Sequence, residues 1–229
     1  MAALALIVFG RALKHQPGSD TRKTADAPKD AAGAEAAHGS ILLNPMILMC
    51  LLFFLLLALS SGGINNFLVA ALNALHGTPI EAATLGLTGY LVGSTGGILL
   101  GGVIADRTRH HNRVAAVCFL LTGIGVLIVG SFTMPVWLLV ALMTTQGLTH
   151  GIIMPSRDMI VRSVTPPGSM GKVFGFVSTG FSLGGIVAPL LFGFLLDQGE
   201  PSVVFYVIAG FMAVSLLTVF TVGGKAKSR

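Results

Sequence analysis

The polar side chains that could handle a solute or a proton are few, and they sit inside long apolar runs. Gln146 and His150 are four residues apart, which puts them on one face of a helix. His150 is the one titratable group inside such a run, and imidazole changes charge near neutral pH, so it could carry a coupling proton. Asn65 and Asn66 follow Ser60-Ser61-Gly62-Gly63-Ile64, and Thr179 lies beside Ser178 and Gly180. Carboxamides and hydroxyls can hydrogen-bond a solute. The same groups also have plainer uses. Asn and Gln join membrane helices, Ser and Thr bond their own backbone, and an interior histidine can be satisfied locally. Both uses stay open for each residue. Gly93-Ser94-Thr95-Gly96 with His150 invites an intramembrane serine-protease reading, but Thr95 stands where the Gly-x-Ser-Gly pattern needs serine. Cys50 and Cys118 are far apart in apolar runs and read as packing residues. His110-His111 lacks the further ligands of a metal site.

A second group of residues is charged. Asp106, Arg107 and Arg113 follow one apolar run; Arg157, Asp158 and Arg162 follow another. A carboxylate at a helix end can face the positive N-terminus of a neighbouring helix. Together the six could latch one face of the molecule shut in one state and release it in another. The alternative is a pair of solvated loops that only set orientation.

The elements that must hold these groups follow from composition. Of 229 residues, 53% are hydrophobic and 10% charged, whereas about a quarter of a soluble domain is charged. Mean hydropathy is +0.85. These values exclude a soluble globular domain, a disordered tail and a disulfide scaffold. Six apolar segments are present, at Ile41–Leu72, Ala82–Ala105, Val114–Phe132, Val136–Met154, Val173–Leu196 and Val203–Val222. Lipid offers no partner to free backbone groups, so each must be a helix. The chain reads as an all-α membrane protein with a six-helix bundle over residues 41–224. Residues 1–9 are the end of a preceding helix or an interfacial stub, 10–40 a flexible linker and 225–229 a basic tail. No Lys, Arg, Asp or Glu is expected at mid-depth.

Alternating six crossings places all 14 Lys and Arg on one side, which the positive-inside rule makes cytoplasmic. Both termini are then cytoplasmic, the lipid bilayer is the first partner, and a bacterial inner membrane is the expected location. The net charge of +5 is used for orientation rather than for nucleic acid. The first segment is too long for a bilayer of about 30 Å. Its Ser60–Asn66 stretch reads either as a break lining a substrate path or as part of a tilted, projecting helix. Gly89, Gly93, Gly97 and Gly101 recur every fourth residue, and Gly180 and Gly184 repeat that spacing. Such stripes let membrane helices approach closely.

Gly101-Gly102-Val103-Ile104-Ala105-Asp106-Arg107 with Arg113 resembles the loop signature of the major facilitator superfamily, with Thr108-Arg109 where that signature has its glycine. Met154-Pro155-Ser156-Arg157-Asp158 through Gly175 resembles the junction of the family's tenth and eleventh helices, and Gly184 to Asp197 is similar to its eleventh. The resemblance implies helices seven to twelve, one half of that fold, with residues 1–9 ending helix six. It implies a secondary transporter, not an enzyme and without a cofactor or metal, that moves a small organic or drug-like solute by alternating access. Protons are a candidate coupling ion. The implied partner is the missing N-terminal six-helix half or a second copy. Helices seven, eight, ten and eleven would line the cavity, and nine and twelve would face lipid. A non-transporting six-span subunit is the alternative. The topology predicts that membrane-impermeant reagents added outside intact cells leave Lys172 and a Thr108→Cys thiol unmodified. Labelling of either from outside would contradict the orientation.

Overall fold

The structure, a computed structural model, describes residues 44–108 and 111–226, with side chains described as far as Val219. The expected stub 1–9, the linker 10–40, Arg109, His110 and residues 227–229 of the tail lie outside the described residues. Six helices fill the described part: α1 Pro45–His76, α2 Ile80–Arg107, α3 His111–Ser131, α4 Val136–Val164, α5 Met170–Asp197 and α6 Pro201–Ala226. All six are long and apolar enough to cross a membrane, and the described residues contain no strand.

Local chemistry sets the helix ends. Asn44 Oδ1 accepts the Met46 N–H at 3.0 Å, and Pro45 takes the first helical position, where its missing N–H costs nothing. This cap starts α1 later than the expected Ile41. At the other end Gly77 adopts φ +63° and its N–H reaches the Asn73 carbonyl, a left-handed close that suits glycine. His76 Nε2 lies 3.2 Å from the Val129 carbonyl and ties this end of α1 to α3.

Two expectations are corrected. First, α1 does not break at Ser60–Asn66; it is helical throughout its 32 residues. Ser60 Oγ donates to the Leu56 carbonyl, Ser61 Oγ to Ala58 and Asn66 Nδ2 to Gly62, so the polar groups bond within the helix. Gly62 and Gly63 serve packing. A Cβ on Gly62 would meet Ala188 of α5, and one on Gly63 would meet Phe192 of α5 and Ile208 of α6. At about 1.5 Å per residue α1 exceeds the bilayer thickness, so it tilts or projects.

Second, α4 does not end at Met154. It runs through Pro155 to Val164, so Arg157, Asp158 and Arg162 sit on a helix rather than in a loop. Membrane helices tolerate an internal proline when neighbours cover it, and here Pro155 lies where a Cβ on Gly101 would touch it at 3.1 Å.

The helices pack in pairs. α2 lies along α4, α1 along α5 and α3 along α6, with α1 also against α6 and α3 against α4. One apolar cluster, at the Asn44 end of α1, joins Ile47, Phe53, Phe54, Phe119, Ile160 and Val177. The other, toward the His76 end, joins Ile64, Leu72, Val126, Met143, Phe192 and Phe205. The α2–α4 seam is backbone on backbone. A Cβ on Gly93 would collide with the Thr144 carbonyl and one on Gly97 with Leu148. In return, one on Gly147 or Gly151 would strike the Tyr90 or Ser94 carbonyl. Gly185, by contrast, has open space beside it. Gly93→Ala therefore lowers stability by about 1–3 kcal/mol. Gly185→Ala is neutral or stabilising by up to about 1 kcal/mol. Thermal unfolding in detergent micelles checks both.

Candidate functional site

The exposed faces divide by chemistry. The exposed positions of α3 from Val117 to Ile128 are all apolar: Val117, Leu120, Leu121, Ile124, Leu127 and Ile128. The exposed positions described on α6 are Tyr206, Gly210, Ala213, Val214 and Leu217. The other four helices expose polar groups among their apolar ones: Asn65 and Asn66 on α1, Thr88 and Thr95 on α2, Thr145 on α4, Thr179 and Ser182 on α5. Several of these hydroxyls already bond their own helix, Thr179 Oγ1 to the Phe176 carbonyl at 2.6 Å among them. Their oxygen lone pairs remain open to a donor.

Gln146 and His150 are elsewhere. Each is 3% exposed, within the seams that α4 makes with α2 and α3. Gln146 Nε2 donates to the Leu121 carbonyl of α3 at 3.3 Å, and it occupies the space that a Cβ on Gly125 would need. The His150 ring lies 5.8 Å from the Tyr90 ring of α2. Tyr90 OH, both nitrogens of His150, Gln146 Oε1 and Ser156 Oγ are buried without a hydrogen-bond partner in the structure. A buried polar group left unpaired costs about 1–3 kcal/mol. Thr122 of α3 and Thr149 of α4 bond across at 3.0 Å, so part of the same region is satisfied. No hydrogen bond joins Ser94 to His150, the pairing that a serine nucleophile would need. The structure thus brings His150 and Tyr90 together and sets Gln146 against α3, and among the described residues no bond links them to Asn65, Asn66 or Thr179.

The six charged residues are also divided. Among the described residues the one ion pair is Arg157 Nε to Asp158 Oδ1, at 3.0 Å. Asp106 and Arg107 are exposed in the last turn of α2, Arg113 is exposed in the first turn of α3 and Arg162 is exposed near the end of α4. Arg157 lies within α4 rather than in a loop, seven residues from the helix end. Its side chain is 14% exposed, and its guanidinium lies 4.2 Å from the centre of the Phe54 ring of α1 and 5.7 Å from that of Phe181 of α5.

Sequence reasoning missed Tyr90, Ser156 and the Phe54–Phe181 pair as site residues. A signal existed for one of the positions. Tyr90 falls in register with Gly86, Gly93 and Gly97 on the buried stripe of α2. Arg157 continues the spacing of Gln146 and His150 once Pro155 is read as internal.

The profile described as Major Facilitator Superfamily matches residues 50–229. The chain is 24% identical over 211 residues to an uncharacterized MFS-type transporter of Bacillus subtilis, YuxJ; the match covers 91% of this chain and 52% of that protein. It is 29% identical over 147 residues to the multidrug resistance protein MdtG of Serratia proteamaculans, covering 58% of this chain and 35% of that protein. The chain therefore spans about half the length of the first relative. A crystal structure of a variant of the peptide transporter POT in complex with alafosfalin matches with a TM-score of 0.65 and 22% identity, over 76% of this chain and 37% of that one. That likeness shows a shared fold.

The Gln146 seam generates a paired test on α3. Gly125→Ala destabilises by about 1–3 kcal/mol because the new methyl displaces the carboxamide. Gly123→Ala, whose Cβ would rest at an ordinary 3.7 Å from Met212, is tolerated. Denaturant or thermal unfolding of the two variants checks the difference.

Proposed function

The chain belongs to the Major Facilitator Superfamily, and we propose that it forms the lobe corresponding to helices seven to twelve of a secondary transporter for a small organic or drug-like solute. The observation that carries this reading is the division of exposed faces. Apolar positions cover α3 and α6, which suits lipid, and amide and hydroxyl groups dot α1, α2, α4 and α5, which suits an aqueous path. A second six-helix lobe, from the same protein or from a second copy, closes that path. Alternating access is then a rocking of the two lobes about a site near the membrane midplane. The multidrug resistance name of one relative supports the drug-like class.

Asn65, Asn66 and Thr179 make the first contacts with solute in this reading. His150 becomes reachable when the α2–α4 seam opens and Gln146 when the α3–α4 seam does, and His150 takes up the coupling proton at that moment. Asp106, Arg107, Arg113, Arg157, Asp158 and Arg162 form the latch at the charged end, which faces the cytoplasm of a bacterial cell. Arg157 and Asp158, neighbours on α4, pair with each other at 3.0 Å.

Flux in proteoliposomes holding the intact transporter tests the site. Losing one hydrogen bond to solute costs about 1.4 kcal/mol, or tenfold, so Asn65→Ala and Gln146→Ala each raise the apparent KM about tenfold. His150→Gln keeps solute exchange but removes acceleration by a pH gradient. An unchanged KM in both carboxamide variants removes them from the site, and an undiminished pH response in His150→Gln removes the proton role.

A further inference from the structure

Arg157, one of the latch residues of the transporter reading, is placed for a further use. We propose that it is an oxyanion receptor, so that the solute recognised by this lobe carries a carboxylate, phosphonate or similar group. The proposal rests on the transporter reading for the word solute, and on the following geometry for the rest.

Arg157 lies seven residues before the end of α4, while Phe54 is the tenth residue of α1 and Phe181 the twelfth of α5. At about 1.5 Å per residue the guanidinium sits roughly 10–16 Å in from the helix ends. A cationic side chain withdrawn to 14% exposure is costly unless its charge is partnered. Its paired acid is a partial answer. Asp158 is the next residue along the chain, its side chain is 46% exposed, and it engages Nε alone. Among the described residues no acceptor bonds the two terminal nitrogens, which carry four of the five N–H groups. That free fork matches the two oxygens of a carboxylate or phosphonate. The two phenylalanines do the rest. Their faces attract the cation and hold its plane, and Phe181, 38% exposed, offers an apolar wall to the body of the solute. Lysine would present a point charge without the fork, so the site needs arginine.

The test follows modification of Arg157 by phenylglyoxal, read by peptide mass spectrometry on the intact transporter in maltoside micelles. Phenylphosphonate and benzoate, at ten times their Kd, slow modification of Arg157 about tenfold. They leave Arg162 unprotected, and the neutral analogue benzamide protects neither. Arg157→Lys keeps the charge and loses the thermal stabilisation that phenylphosphonate gives the parent protein. Equal protection by benzamide overturns the proposal. So does protection by phosphatidylglycerol and by no soluble anion, which assigns the fork to a lipid headgroup. Undiminished stabilisation of Arg157→Lys also overturns it. If that variant does not fold, protection of the parent protein decides alone. Anion protection with no flux of any solute supports the receptor and sinks the transporter reading. Flux of neutral compounds with Arg157 unprotected does the reverse.

Discussion

The α2–α4 seam is where this molecule is most constrained. Lipid tails are as apolar as leucine, so helices in a bilayer gain little from burying apolar surface and must hold by close contact. Here the contact is made by four glycines in alternation. Gly93 and Gly97 lie under the Thr144 and Leu148 carbonyls, and Gly147 and Gly151 lie under those of Tyr90 and Ser94. Few side chains intervene, so the two backbones act as one body. The α1–α5 seam repeats the device with Gly180 beside the Leu51 carbonyl and Gly184 beside Ala58. The positions of Tyr90, Gln146 and His150 follow from the first seam, since each projects from a helix whose rotation the glycines set.

The same seam carries polar side chains, with the Tyr90 and His150 rings 5.8 Å apart across it. The α2 side of α4 is held by backbone contact at its glycines, and the α3 side is tied by Gln146 to Leu121 and by Thr122 to Thr149.

Much of this was legible in the sequence, for physical reasons. Backbone hydrogen bonding in lipid forces helices, so hydropathy alone found six spans. The every-fourth glycines of α2 could face only one neighbour, and they do. The apolar exposed faces of α3 and α6 were foreseeable from the absence of amides and charges there. Two local rules misled. Paired glycines at Gly62-Gly63 looked like a hinge, but they are spaces for Ala188, Phe192 and Ile208. Pro155 looked like a helix end, but Gly101 leaves room for its ring, and the helix carries on to Val164. Both errors have one cause: a breaker residue is read by what it does to its own chain, and here a neighbouring helix decides. The second error hid Arg157, because a residue placed in a loop is not expected against Phe54 and Phe181.

Substituted-cysteine reactivity tests the carrier account most directly, because that account claims an aqueous path on one side of the bundle and lipid on the other. In the intact transporter, Asn65→Cys and Thr179→Cys should react with a charged, membrane-impermeant methanethiosulfonate, and added solute should slow them. Val214→Cys on α6, also exposed in the isolated lobe, should stay unreactive. Equal reactivity at all three positions, or reactivity at Val214 alone, would contradict the division of faces on which the account stands.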